Sequence, residues 1–447
     1  MRGLRSFVAL LVILIALGAY LYFVESKRTP GDAADKKTKV FAVEADKIDE
    51  VTVRSESGDT TTLKKNGEAW QIAAPAPATA DGAEISGITT NLASLEEQRV
   101  IDENPGDLKD FGLAQPRIEI AFKSGGQEHK LLIGSKTPTG SDLYAKTAAQ
   151  PRVFLVASYL DSTFNRSTFD LRDKTALKFD RDATDALEVT SAESVVKFGK
   201  VNGSWALTQP ASSRSDTAAI EGLLARLSGL QMKKLAAAEA ADLKPYGLDK
   251  PAATVRIGSG SSQATLLIGS AAEEGNVYAK DASRPAVFTV EASLLDDLKK
   301  APGEYRQKDL FDARAFNTTR VEAARGTVTS TFEKTAVKDK DGKEEQKWKQ
   351  TAPSAKDVDG AKVDALLSSI TSARADSFVE KPPAGAKTEA AFTLTFDERK
   401  KQERVTFLKV GSDGYAVRDD SPGAAKLSAA TIDEILKTLD AVGGQAP

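Results

Sequence analysis

Trp70-Gln-Ile-Ala-Ala-Pro75, Trp205-Ala-Leu-Thr-Gln-Pro210 and Trp348-Lys-Gln-Thr-Ala-Pro353 are three versions of one phrase, and together they use every tryptophan in the chain. The first two lie 135 residues apart and the next two 143. A repeat of that length is the size of a domain, far longer than the roughly 20–50-residue units of solenoids. The 447 residues therefore read as three tandem modules, with Trp70, Trp205 and Trp348 marking the same point in each.

From the tryptophan to the turn after the Leu-Leu-Ile strand, the first two copies align without a gap at an offset of 135. Ahead of the tryptophan lie β-type runs, Val51–Val53 and Thr60–Leu63 in one copy and Leu187–Val189 and Ser194–Phe198 in the next, closed by Asn66-Gly67 and Asn202-Gly203. Behind it, Ile85, Ile88, Leu92 and Leu95 match Ile220, Leu223, Leu227 and Leu230, an apolar stripe at helical spacing that predicts one buried helix face. Asp81 and Ser215 are the expected N-caps. The third copy continues the stripe with Val363, Leu366 and Ile370 after Asp359-Gly360.

Further on, Leu108-Lys-Asp-Phe-Gly112-Leu113 matches Leu243-Lys-Pro-Tyr-Gly247-Leu248. Each of these glycines is expected at positive φ between two buried side chains. Hairpin arms follow, with Leu131-Leu-Ile-Gly134-Ser repeated as Leu266-Leu-Ile-Gly269-Ser, then Tyr144-Ala-Lys and Tyr278-Ala-Lys, and a short helical pattern at Tyr159-Leu160 and Leu294-Leu295. The third copy keeps Phe407-Leu-Lys-Val-Gly411, Tyr415-Ala-Val and a final helix from Ser428 to Leu439, but lacks the Phe/Tyr-Gly-Leu phrase. Gly112, Gly247, Gly134, Gly269 and Gly411 thus join the tryptophans as repeat markers. The pattern predicts an α+β fold, an N-terminal transmembrane helix followed by three repeats. Each repeat is a mostly antiparallel sheet covered by one long helix plus a short one. The expected boundaries are 1–24 for the anchor, 25–38 for a linker, and 39–172, 173–308 and 309–447 for the modules.

The anchor rests on Phe7–Val24, eighteen uncharged residues behind Arg2 and Arg5, with Tyr20, Tyr22 and Phe23 at the far end. As a helix this covers roughly 27 Å, close to the hydrocarbon thickness, and the arginines place the N-terminus inside. A cleaved signal peptide is the competing reading, but its apolar core would be shorter, about 7–15 residues. Either way the body is expected outside the cytoplasm of a bacterial cell, on the periplasmic side of the inner membrane.

Composition excludes several chemistries. There is no cysteine, hence no disulfide, thiolate ligand or lipid-modified cysteine. The net charge of −3 comes from interspersed acidic and basic residues, so no nucleic-acid footprint is expected. His129 is the only histidine, and Ala264 stands at its place in the second copy, so it predicts a half-buried structural residue and no metal or cofactor site. Adjacent carboxylates such as Glu96-Glu97 and Asp296-Asp297 are expected on solvated faces.

In combination, the anchor, the Asn-Gly hairpin leading to Trp (Asn66-Gly67-Glu-Ala-Trp70 and Asn202-Gly203-Ser-Trp205), the Leu-Lys-x-Phe/Tyr-Gly-Leu phrase and Leu-Ile-Gly followed by Tyr-Ala-Lys resemble the bacterial family catalogued as domain of unknown function 4340. The resemblance implies a membrane-anchored extracytoplasmic protein associated with ABC-type transport systems like those of gliding motility. It carries over no catalytic residue. The expected function is a non-enzymatic single-pass envelope protein whose modules form a binding or spacer arm. The partners are then the cytoplasmic membrane, through residues 7–24, and other envelope proteins such as an ABC-type transporter. The alternative is an envelope hydrolase or glycan-binding protein with a site in a cleft between modules.

Overall fold

The computed structural model describes residues 38–338 and 344–443. The expected anchor at 7–24 lies outside the described residues, and among those no helix is long and apolar enough to cross a membrane. The chain divides into two compact units, one up to Lys174 and one from Thr175 onward. The first holds module one, and the second holds modules two and three.

Module one runs β1 (Ile48–Arg54), β2 (Thr60–Asn66), β3 (Ala69–Ala74), β4 (Ala78–Thr79), α1 (Gly82–Ala93), β5 (Arg99–Asp102), β6 (Ile118–Ser124), β7 (Gln127–Lys136), β8 (Asp142–Thr147), β9 (Val153–Ala157) and α2 (Leu160–Phe164). Its strands form one sheet in the order β4-β3-β2-β1-β6-β7-β8-β9-β5. Every pairing is antiparallel.

Module two repeats the plan with β10 (Ala186–Ser191), β11 (Val195–Val201), β12 (Ser204–Gln209), β13 (Ser213–Arg214), α3 (Thr217–Ser228), β14 (Lys234–Ala237), β15 (Ala253–Ser259), β16 (Ser262–Ala271), β17 (Asn276–Asp281), β18 (Val287–Glu291) and α4 (Ser293–Leu298). Module three follows with β19 (Thr318–Arg325), β20 (Val328–Lys338), β21 (Glu344–Ala352), β22 (Lys356–Asp357), α5 (Gly360–Thr371), β23 (Ser377–Val379), β24 (Lys387–Phe396), β25 (Lys401–Val410), β26 (Asp413–Arg418), β27 (Ala424–Ser428) and α6 (Ala429–Gly443). Both sheets keep the strand order of the first. Three nine-stranded antiparallel sheets thus carry the tandem repeat, and strand outweighs helix by 45% to 19%.

Alternation along the strands buries one face of each sheet, and the long helix lays its stripe on that face. Ile85, Ile88 and Leu92 of α1 join Val51, Ile120 and Ile133 in one core, which Leu160 and Phe164 of α2 complete. The N-caps need one correction. Asp81 and Asp359 cap α1 and α5, but α3 is capped by Asp216, whose carboxylate accepts from the Ala219 N–H at 3.1 Å. Ser215 is instead committed to the tryptophan strand, its hydroxyl donating to the Trp205 carbonyl at 2.7 Å.

The two most distinctive phrases of modules one and two meet in space. The register of β7 on β8 shifts between Ile133 and Lys136, and that of β16 on β17 between Ile268 and Ala271. Such a bulge takes backbone groups off the ladder. In module one the Ser135 N–H so released donates to the Phe111 carbonyl at 2.9 Å. Gly112 and Gly247, at φ +68° and +65°, turn the chain onto this bulge, while Phe111 and Tyr246 pack edge-on against Tyr144 and Tyr278, each at 5.1 Å. A Cβ on Gly134 or Gly269 would stand 2.1 Å from the Phe111 or Tyr246 carbonyl.

Module three differs as a set. It lacks the phrase, and β25 pairs with β26 in unbroken register up to a tight turn at Gly411-Ser412. Since Phe407 faces Ala416 as Ile133 faces Ala145, the place of Gly134 is taken by Leu408, and Gly411 is a turn glycine at φ +57°. The closing helix, expected from Ser428 to Leu439, runs on to Gly443. At 15 residues α6 outruns the 12-residue α5, and its Ile432 lies so close to the sheet that a Cβ on Gly414 would stand 2.8 Å from it.

The Gly134→Ala variant is expected to destabilise module one by about 3 kcal/mol or more, because its methyl meets fixed backbone. Gly125→Ala, at φ +58° but in open space, is expected to cost only about 1 kcal/mol. Amide hydrogen exchange of residues 39–174 in the full chain reads both, and equal losses would refute the docking of the phrase on the bulge.

Candidate functional site at the junction of modules two and three

Each tryptophan stands across the ladder from a lysine, in the pairs Lys65 with Trp70, Lys200 with Trp205 and Lys334 with Trp348. The lysine ammonium lies 5.3 Å from the ring centroid of Trp205 and 4.9 Å from that of Trp348, within cation–π range. The Trp205 indole N–H donates to Glu221 Oε1 at 2.7 Å and that of Trp348 to Asp364 Oδ1 at 2.9 Å. These carboxylates sit early on α3 and α5, so the indole pins the start of the long helix to the tryptophan strand. The hydrogen bond from Trp205, with Arg181 beside it, lowers the Glu221 carboxyl below its ordinary range. Trp205 and Trp348 are buried, whereas Trp70 is half-buried and has Ser86 at the place of the carboxylate. All three phrases end on a cis peptide bond, Ala74–Pro75, Gln209–Pro210 and Ala352–Pro353.

His129 is half-buried, stacked on Phe122 at 5.0 Å and edge-on to Phe41 at 5.5 Å. No group of metal-ligating side chains occurs among the described residues. One of the paired carboxylates does not face solvent as expected. Glu97 is 8% exposed and bound to Arg152 at 2.7 Å, and burial raises its carboxyl above the usual range despite that cation. Its parity places it toward the protein just after the helix stripe ends, which doublet counting does not reveal.

A cluster of charge joins modules two and three, where the connector after α4 enters the third module. Its N-terminal part is locked to module two. Tyr305 is 4% exposed, packs edge-on to Phe198 at 5.0 Å, and donates its hydroxyl to the Asp297 carbonyl at 3.0 Å. The Asp216 N–H donates to the Tyr305 carbonyl and the Gln307 N–H to the Arg214 carbonyl. Further along, Leu310, Phe311 and Ala313 enter the core of module three.

Three arginines converge here. Arg214 binds Asp312 and donates to the Asp309 carbonyl at 2.6 Å. Arg418, on β26, forks onto Asp420 at 2.8 and 2.7 Å, reaches Glu403 at 3.5 Å and donates to the Leu310 carbonyl. Glu403 also accepts from the Asp312 N–H at 2.8 Å and the Ala313 N–H at 3.3 Å. Arg306 donates to Ser421 Oγ at 3.1 Å and the Pro422 carbonyl at 2.8 Å, and lies over the Phe378 ring at 4.0 Å. Between the three guanidinium groups is a cavity of about 20 Å³, enough for one water molecule.

Burial sets the electrostatics. It pushes the Glu403 carboxyl up, opposed by Arg418, and pushes Arg214 down, assisted by the charge of Arg418. Burial would lower Arg418 too, but its hydrogen bonds to Asp420 and the charge of Glu403 outweigh this and raise it. The carboxylates of the cluster are therefore committed to arginine or backbone partners. The arrangement binds two modules together and leaves positive charge at one margin.

Burial pushes the Tyr305 phenol up to about 12. A phenol whose folded pKa exceeds its unfolded value of about 10 gives stability that is whole below pH 10 and lost as pH rises toward 12. Thermal unfolding between pH 9 and 11.5 is expected to show a steeper fall for the parent chain than for Tyr305→Phe, and identical slopes would contradict the burial of a neutral phenol.

No curated protein matches the chain. The family profile described as "Domain of unknown function (DUF4340)" matches residues 70–210 and again residues 205–395. Both matches open on a repeat tryptophan, Trp70 and Trp205, in phase with the modules. Together they span well over half of the 447 residues, and the chain belongs to the DUF4340 family.

Proposed function

We propose that this chain is a single-pass envelope protein, held in the bacterial inner membrane by Phe7–Val24, whose three modules form a periplasmic binding or spacer arm for an ABC-type transport complex. The observation that carries this reading is the tandem repetition itself. What modules one and two share, the phrase docked on the bulge and the tryptophan strand, is spent on packing, so function falls to surfaces where the copies differ. One such surface is the β20–β21 hairpin. At 11 residues β20 is four longer than β2 or β11, which extends the arm by roughly 13 Å.

The recognition mode is protein contact along hairpin arms and sheet edges. The edges are short, as in β4, β13 and β22 with two residues each, which favours selective pairing over aggregation. Crosslinking in intact membranes followed by identification of co-purifying proteins is expected to recover transporter subunits, and recovery of none would sink the transport role. Protease added to spheroplasts is expected to digest the body, and full protection would refute the periplasmic location.

A further inference from the structure

The margin of the arginine cluster opens into a groove of about 420 Å³ between modules two and three. Its walls are largely apolar, with Leu207 and Pro210 from the tryptophan phrase of module two, Pro302 from the connector, and Phe378, Val379 and Pro422 from module three. That volume and lining are those of a small-molecule site, in which a few polar groups fix the orientation of an apolar ligand.

Arg306 lines both the groove and the water-sized cavity behind it. It differs from its neighbours in lacking a counter-charge. Arg214 is matched by Asp312 and Arg418 by Asp420, but among the described residues Arg306 forms no ion pair. Burial and the charge of Arg214 both push its guanidinium down, with no carboxylate opposing them. A half-buried, uncompensated cation is costly, and the cost falls when an anion arrives. The group is also pre-oriented: its Nη2 is spent on Ser421 and Pro422 and its plane rests on Phe378. This leaves the other guanidinium nitrogens without a protein acceptor among the described residues. With Nη2 engaged, the remaining Nε and Nη1 donors are separate, and each can make one charge-assisted hydrogen bond to a carboxylate oxygen.

We propose that this groove binds a monocarboxylate with an apolar body, of the class of a medium-chain fatty acid, with Arg306 as its counter-ion and the Leu207, Pro210 and Phe378 walls around its chain. A single unmatched cation selects a single negative charge. Glu380, exposed at the rim, disfavours a second one. The proposal stands on the groove alone and is independent of membrane location or transporter association.

Isothermal titration calorimetry of the full chain tests it, with octanoate, 1-octanol and inorganic phosphate as probes. Octanoate is expected to bind saturably and about tenfold or more tighter than 1-octanol, the ratio a charge-assisted pair supplies, while phosphate gives no heat of binding. Arg306→Gln is expected to remove the preference for octanoate over octanol. Because Arg306 also ties the two modules together, that variant risks misfolding, so Gly303→Leu provides a second test. Gly303 lines the groove, a Cβ there meets Phe378 only at ordinary contact distance, 3.9 Å, and the larger side chain narrows the groove while the Arg306 guanidinium is kept. It is expected to weaken octanoate about tenfold or more with the unfolding temperature unchanged. The proposal is overturned by absence of octanoate binding at millimolar concentration, by octanol or phosphate binding equally well, or by a folded Gly303→Leu that binds like the parent.

Discussion

In every module the fourth and fifth strands lie at opposite edges of a nine-stranded sheet, and the chain passes between them through the long helix. β4 and β5, β13 and β14, β22 and β23 each bracket a 12-residue helix. The helix must therefore cross the sheet, and it does so by laying down a fully apolar stripe. Val363, Leu366, Leu367 and Ile370 of α5 have no measurable exposure. At about 25 cal/mol per Å² such burial is the main force holding helix to sheet. The other features support this crossing: an aspartate caps its start, and an indole bonded to a carboxylate pins its first turns in modules two and three.

The third module shows which features act as a unit. The Phe/Tyr-Gly-Leu turn and the bulge at Leu-Ile-Gly are both present in modules one and two and both missing in three. The physical reason is reciprocal. A bulge leaves a backbone N–H off the ladder, and a buried donor needs an acceptor, which the turn supplies through the Phe111 carbonyl. Without the turn, an unbroken ladder is the arrangement that satisfies the backbone. The longer α6 then covers the sheet where Gly414 replaces the leucine of module one, Leu143, and so lets the helix approach.

Modules two and three are joined by a network of charged and hydrogen-bonded groups. Buried ion pairs add little net stability when desolvation is counted, but they penalise any other arrangement of the same groups. Glu403, Arg418, Asp312 and Arg214 therefore define how the third module is seated on the connector. Arg306 is the exception in this set, bonded only to neutral acceptors.

Much of the fold is legible in the sequence. The tryptophan spacing sets the number of modules, the stripes at Ile85 and Ile220 set the helices, and the Gly-rich turns set the hairpins, because periodicity and turn chemistry are local properties. The edge strands are not legible. Arg99–Asp102, Lys234–Ala237 and Ser377–Val379 are short and partly charged, and only their pairing with β9, β18 and β27 makes them strands. The same holds for the N-cap of α3, where serine and aspartate stand side by side and the choice depends on which carbonyl the serine reaches.

None of the junction residues carries a sequence signal. Arg214, Arg306 and Arg418 come from three separate segments and belong to no phrase. The sequence by itself determined the repeat, its elements and the absence of cysteine chemistry, since these follow from residue type and spacing. Only the tertiary structure decided that two phrases meet at a bulge, that Gly411 is a turn residue, and that three distant arginines share one junction beside an apolar groove. Burial and the matching of charges depend on which segments are brought together, and that is a property of the folded chain.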